Sequence, residues 1–249
     1  MNLGVFGGGF KPLTTGHFSK IALAVSENDI VVLYYGIAKR SKGSDFVYTE
    51  DMASQIYEIN KVALERYFDG RVKVRLGVPT PIAKMFSLIG AIETGTSNSL
   101  VSLEDLDIDP DKVESISIYS DPDSLDHFTR HLSSPDKEKK YYGDMARTGK
   151  LQFKHGLEGD DLSDISKITC AMARHYEDPD EDELRLKSQI RGSEFRSFIN
   201  ARDSEKLNKY LPPFLKDDER QSIIDILFNS CTTVQEQLLK SFIGGFIRG

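Results

Sequence analysis

Hydrophobic residues in the first half of the chain form short runs that alternate with longer amphipathic stretches. The short runs predict four buried strands, at 3–6, 29–36, 71–78 and 115–120. The stretches between them, at 15–26, 49–68 and 81–93, carry apolar residues at helical spacing. Thr14 or Thr15 is suited to cap the first helix, Thr49 the second, and Pro81 to open the third. This alternation predicts an α/β fold, a Rossmann-like parallel sheet with helices on both faces.

The pattern loosens after residue 120. Residues 121–189 are rich in Asp, Glu, Lys and Ser, which predicts a polar insertion. Within it, 123–132 predicts a helix, whereas "ITCAMARHY" at 168–176 fits either a fifth strand or a helix. Helical spacing returns after residue 193, and 217–230 and 232–247 predict two amphipathic helices. We therefore predict an α/β domain over 1–200 and a C-terminal helical extension over 201–249. The last apolar stripe fits core packing or contact with a second copy in a homo-oligomer.

Charge and composition exclude some function classes. The 249 residues carry a net charge of −7, which argues against non-specific binding to nucleic acid. The two cysteines, Cys170 and Cys231, form no metal-binding or disulfide pattern. The N-terminal residues do not have the pattern of a signal peptide, and no apolar run reaches the roughly 18 residues of a membrane helix. We expect a cytoplasmic protein with no membrane partner.

The junction between the first strand and the first helix has the composition of a phosphate site. Three glycines follow the strand in "GVFGGGFKPLTTGHF" at 4–18, and the helix begins a few residues later. Glycines let a ligand approach the backbone, and a helix N-terminus offers free N–H groups and partial positive charge. The letters match neither the P-loop nor the dinucleotide-binding fingerprint.

The same letters resemble a known signature. "GGGFKPLTTGH" at 7–17 is similar to the G-x-F-x-P-x-[HT]-x-G-H pattern of the nucleotidylyltransferase superfamily. Thr14 stands where the first histidine of the usual HxGH is found, and Lys11 where Asp is common. The matching positions are Phe10, Pro12, Thr14, Gly16 and His17.

Two later stretches extend the resemblance. "IRGSEFR" at 190–196 is similar to the superfamily's late motif, which opens a helix, and supplies Ile190, Ser193, Phe195 and Arg196. Arg191 replaces the first serine of that motif. "IYSDPDSLDHF" at 118–128 resembles the strand and Asp-containing loop that meet the nucleoside in members of the superfamily.

The resemblance implies transfer of a nucleoside monophosphate from a triphosphate to a phosphorylated small-molecule acceptor, with release of pyrophosphate. It also implies a Mg²⁺ bridging the phosphates. Catalysis would consist of positioning and of neutralising charge on the phosphates. The expected catalytic residues are His17, Thr14 and Lys11. The expected nucleotide-binding residues are Gly8, Gly9, Phe10, Gly16, Ser193, Arg196 and Asp121, with Lys39, Arg40 and Lys42 as further cations.

Several alternatives stay open. ATP is the expected triphosphate because proline at the position of Pro12 is common in adenylyl-transferring members, and CTP is the alternative. Nicotinamide mononucleotide, phosphopantetheine, a sugar phosphate and a polyol phosphate all fit as acceptors. A non-catalytic binding or assembly protein on the same fold is the other class of function, because fold does not fix function.

Overall fold

The apolar runs form the strands of one parallel sheet. The computed structural model describes residues 1–38, 48–120, 128–130, 135–155 and 162–229. The strands are β1 (Asn2–Gly8), β2 (Ile30–Tyr35), β3 (Val72–Leu76), β4 (Ser115–Ser120) and β5 (Leu151–His155). They lie in the order β3-β2-β1-β4-β5, and Val5 of β1 pairs with Val32 on one side and Ile118 on the other. The predicted parallel α/β sheet is confirmed.

Three helices connect the first four strands, as predicted. They are α1 (Thr15–Glu27), α2 (Glu50–Tyr67) and α3 (Pro81–Thr94). The hydroxyl of Thr49 accepts a hydrogen bond from Met52 N (3.2 Å) at the start of α2. Pro81 occupies the first turn of α3, where its missing N–H costs nothing. Thr14, rather than Thr15, is the residue that caps α1.

The second half is mostly helical. Its helices are α4 (Pro135–Tyr142), α5 (Leu162–Ala173), α6 (Glu181–Gln189), α7 (Gly192–Asn200), α8 (Ser204–Tyr210) and α9 (residues 217–229). Of the helix expected over 123–132, only 128–130 are described, and they are helical. The stretch 232–247 and Asp121 lie outside the described residues.

The fifth strand is not where the sequence suggested. Most of "ITCAMARHY" belongs to α5, so of the two readings of this stretch the strand is wrong. Its buried residues Ile168, Ala171 and Met172 have helical spacing. The fifth strand is "LQFKH" at Leu151–His155, which pairs with β4 at one edge of the sheet.

Each face of the sheet carries its own hydrophobic core. Val31, Leu33 and Tyr35 of β2 face α1 and α2, whereas Val32 and Tyr34 face α3. Buried residues of α8, α9 and the loop between them join the first core: Leu207, Leu211, Phe214, Leu215, Ile223, Ile224 and Leu227. Helices therefore cover both faces. Among the described residues, no helix combines the length and apolar character needed to cross a membrane.

The strand order creates a switch point between β1 and β4. The chain winds outward from β1 to β3 and then returns to place β4 on the other side of β1. In open α/β sheets, ligands bind at the carboxyl ends of the strands where the winding reverses. Gly7 and Gly8 end β1 at this position, and we refer to residues 7–17 as the glycine turn.

Candidate active site

The carboxyl end of β1 is closely packed by its neighbours. Gly36, just after β2, donates its N–H to the carbonyl of Gly8 (2.8 Å). A Cβ atom on Gly8 would lie 2.8 Å from the ring of Phe10, and one on Gly7 would lie 2.6 Å from Met85 Sδ. Packing therefore explains two of the three glycines. Gly9 is different, because it is exposed and a Cβ there would meet only Lys11 Cε at 3.8 Å.

Phe10 lies beneath this turn. Its side chain is buried, and its ring meets His17 edge-on with centroids 5.1 Å apart. A second contact, with Tyr35 of β2, also has a centroid distance of 5.1 Å. Phe10 was expected among the nucleotide-binding residues. The structure places its side chain in the core, where it supports the imidazole of His17.

His17 is held by the residue that caps its helix. The backbone N–H of Thr14 donates to His17 Nδ1 (3.2 Å), and Thr14 Oγ1 lies 2.9 Å from the same nitrogen. Since a backbone N–H can only donate, Nδ1 must accept and carries no proton. The proton of the neutral ring then sits on Nε2, which makes no hydrogen bond with the described residues. Nε2–H is thus a donor left available for a ligand.

The imidazole of His17 is neutral at physiological pH. Desolvation by burial, and secondarily the charge of Lys20, lower the pKa of His17 from 6.5 to about 3. The ring can therefore donate one hydrogen bond but supplies no positive charge. Any charge on a bound phosphate has to be neutralised by other groups.

The late motif lies against the first turn of α1. Thr15 donates its hydroxyl to the carbonyl of Lys187 (2.8 Å). A Cβ atom on Gly16 would lie 2.7 Å from the carbonyl oxygen of Ile190 and 3.2 Å from that of Ser188. Only glycine allows this approach. The structure thus joins two motifs that are more than 170 residues apart in sequence.

The helix of the late motif begins just beyond this contact. Arg191 is the cap residue of α7, although its side chain makes no capping hydrogen bond. Ser193 is exposed in the first turn of α7, and Arg196 is half-buried one turn later. Phe195 is buried and anchors the helix in the core. The exposed N–H groups of this first turn are suited to bind an anion.

Of the remaining predicted cations, Lys11 is among the described residues. Lys11 donates from Nζ to the carbonyl of Ala38, so it bridges the glycine turn and the segment after β2. Lys39, Arg40, Lys42 and Asp121 lie outside the described residues. Within the parts of the chain that are described, no group of three or more His, Cys, Asp or Glu side chains could hold a metal ion. The expected Mg²⁺ is not tested by this finding and stays a prediction.

Sequence reasoning missed the role of Thr15. Its hydroxyl is buried and joins α1 to the end of α6. The available signal was the pair Thr14-Thr15 before Gly16, because only one of two adjacent threonines can be the helix cap. The other needs its own partner if it is buried. That the partner would be the carbonyl of Lys187 could not be deduced from the letters.

Comparison with known proteins adds no assignment: neither a protein-family model nor a curated protein sequence matches the chain.

Proposed function

We propose that the protein is a nucleotidylyltransferase, which transfers the nucleoside monophosphate of ATP to a phosphorylated small-molecule acceptor and releases pyrophosphate. The contact between Gly16 and Ile190 carries this proposal, because it joins the glycine turn and the late motif at the carboxyl end of β1. A chain that resembled the superfamily only by chance would have no reason to bring these two stretches together.

The groups around the turn suit a reaction that proceeds without a covalent enzyme intermediate. The acceptor phosphate attacks the α-phosphorus, and the bond from that phosphorus to the bridging oxygen of pyrophosphate breaks. His17 would donate from Nε2 to an oxygen of the α-phosphate. The first turns of α1 and α7 would add backbone N–H donors. Gly9, whose bare backbone is not required by packing, would let the triphosphate approach closely.

The positive charge in this scheme comes from groups other than His17. Arg196 would offer a planar fork to the outer phosphates, and Ser193 a neutral donor next to it. A Mg²⁺ bound to the triphosphate would neutralise further charge on the leaving pyrophosphate. Thr14 would act mainly on His17, because its buried hydroxyl already contacts the imidazole.

The test is a binding and turnover experiment on the full chain. ATP and CTP are titrated by calorimetry with Mg²⁺, and pyrophosphate release is then measured with a panel of phosphorylated acceptors. We expect tighter binding of ATP and turnover with one acceptor class. Preferred binding of CTP would make the protein a cytidylyltransferase. Nucleotide binding without turnover across the panel would favour the non-catalytic protein, and binding of neither nucleotide would reject the proposal.

A further inference from the structure

A second candidate site lies at the β3 edge of the sheet. A cleft of about 290 Å³ is formed by the ends of β2 and β3, by α2 and α3, and by the segment 100–106. None of its lining residues belongs to the glycine turn, to α1 or to the late motif. We refer to it as the edge cleft, and its polar lining residues are Tyr34, Tyr57, Arg75, Lys84, Ser102 and Asp105.

Tyr34 lines this cleft, and its buried hydroxyl is an unpaired donor among the described residues. Tyr34 is only 2% exposed, and its hydroxyl oxygen has no hydrogen-bond partner among the described residues. Leaving a buried hydroxyl unpaired is costly, so such a group calls for a partner. Tyr57 adds a second phenol, and burial raises its pKa to about 12. Burial also raises the pKa of Tyr34, so both phenols remain protonated donors at neutral pH.

The two cations of the edge cleft have different surroundings. Arg75 is neutralised, because its Nη1 lies 2.8 Å from Glu65 Oε1. Its Nη2 donates to the carbonyl of Asp105 (2.6 Å), which fastens the segment 100–106 to β3. Lys84 donates from Nζ to the carbonyl of Leu100 and forms no ion pair with a carboxylate of the described residues. Its ammonium group therefore keeps an uncompensated charge and two further N–H donors.

We propose that the edge cleft binds a small organic anion. The oxyanion is received by the ammonium of Lys84 and the hydroxyl of Tyr34, and the apolar part of the ligand lies against Leu76 and Leu100. Lys84 is the lining cation without an ion pair among the described residues, and it suits a single negative charge placed away from the carboxylate of Asp105. The volume is near the lower end for ligand pockets, which favours a ligand of metabolite size over a dinucleotide. This site stands whether or not the protein transfers nucleotides.

The first experiment uses three probes that share one apolar tail. Hexanoate, hexyl phosphate and 1-hexanol are titrated into the full chain by calorimetry, with saturation-transfer NMR for weak binding. We expect at least one anion to bind, about tenfold or more tightly than the alcohol, since hydrogen bonds to charged groups are the strong ones. Comparison of the two anions identifies the oxyanion as carboxylate or phosphate. Equal binding of the alcohol, or binding of no probe, overturns the proposal.

Matched lysine variants test the assigned cation. Lys84→Met should weaken binding of the preferred anion about tenfold or more. Lys73→Met removes a half-buried lysine of β3 that does not line the cleft, and should leave the affinity unchanged. Circular dichroism confirms that both variants fold. An unchanged affinity in Lys84→Met would contradict the proposal.

Matched tyrosine variants test the unpaired hydroxyl. Tyr34→Phe should weaken anion binding several-fold while the ligand-free protein keeps or raises its melting temperature, because an unsatisfied group has been removed. Tyr142→Phe removes a buried hydroxyl that does have a partner, the carbonyl of Phe128 (2.8 Å). That variant should melt at a lower temperature and bind the anion normally. If Tyr34→Phe is destabilised and binds the anion as well as wild type, its hydroxyl has no part in a ligand site.

Discussion

The glycine turn and the edge cleft differ in whether their buried polar groups have hydrogen-bond partners. At the turn, the N–H and hydroxyl of Thr14 face His17 Nδ1, and the hydroxyl of Thr15 is bonded to the Lys187 carbonyl. In the cleft, the buried hydroxyl of Tyr34 has no partner among the described residues. The turn is therefore organised before a ligand arrives, whereas the cleft retains an unpaired buried hydroxyl. Changes at the turn remove contacts that the free protein already makes, whereas loss of the Tyr34 hydroxyl should weaken ligand binding without destabilising the free protein.

The largest effect is expected at His17. His17→Ala removes the Nε2–H donor and should lower the rate of nucleotidylyl transfer about 10²- to 10³-fold, as loss of one preorganised donor does. The measurement is pyrophosphate release, with circular dichroism as the folding control. His175→Gln is the matched variant, because His175 contacts Tyr67 and Phe18 and makes no hydrogen bond or ring contact with His17. A folded His17→Ala protein with a near wild-type rate would remove His17 from the mechanism.

Gly16→Ala tests the joining of the two motifs. The new Cβ would lie 2.7 Å from a backbone oxygen that cannot move alone, so we expect a loss of about 1–3 kcal/mol in unfolding free energy. Nucleotide affinity should fall as well. Gly90→Ala is the control in α3, where nothing lies within 4 Å of the added atom. That variant should gain about 0.5–1 kcal/mol in urea unfolding. Equal stability of Gly16→Ala and wild type would show that the contact can relax.

Two neighbouring threonines should give different results. Thr14→Val removes the hydroxyl beside His17 Nδ1 and should lower the transfer rate roughly 2- to 10-fold. Thr15→Val removes the bond to the Lys187 carbonyl and should lower the unfolding free energy by about 0.5–1.5 kcal/mol. Rates and denaturation curves are compared for both variants. Because Thr14 also caps α1, both variants should lose stability, and an unchanged transfer rate in Thr14→Val would mean that Thr14 does not position the imidazole.

The smallest expected effect near neutral pH is the contribution of His17 protonation to the unfolding free energy. Its pKa is about 3 in the folded protein and 6.5 without the protein environment, so the unfolded chain takes up a proton first as pH falls. The contribution of the neutral imidazole to the unfolding free energy is complete above pH 6.5 and is lost progressively towards pH 3. His17→Ala should therefore show a flatter dependence of stability on pH in this window. NMR titration should show no protonation of His17 between pH 5 and 8, and a mid-point near 6.5 would contradict the structure.

β1, β2 and β4 could be predicted because each is a buried apolar run with a neighbour on both sides. β3 is an edge strand, but its Val72, Val74 and Leu76 alternate with polar residues, as is typical of a strand. The fifth strand could not be predicted. β5 is an edge strand with only two apolar residues, Leu151 and Phe153, in a stretch rich in polar residues. The apolar residues of 168–176 suggested a strand as one of two interpretations. The buried positions of that segment follow the period of a helix.

The candidate sites show a similar limit. The sequence placed the cap of α1 at Thr14 or Thr15 and His17 at the start of the helix, and the structure has Thr14 as the cap and His17 in the first turn. The local letters could not reveal that Nδ1 accepts a hydrogen bond, because this depends on the orientation of the ring. They gave no sign of the edge cleft, whose polar residues come from four separate elements and the segment 100–106.

The contact between Thr15 and Lys187 can form only late in protein synthesis, after both residues have been made. The two residues are 172 positions apart, and chains are made at about 5–20 residues per second. Roughly 10–30 s therefore pass between synthesis of the first turn of α1 and of the segment that packs against it. During that interval the nascent chain has a glycine turn but no late motif beside it. The proposed nucleotide site should accordingly form late in translation, after Arg196 has left the ribosome.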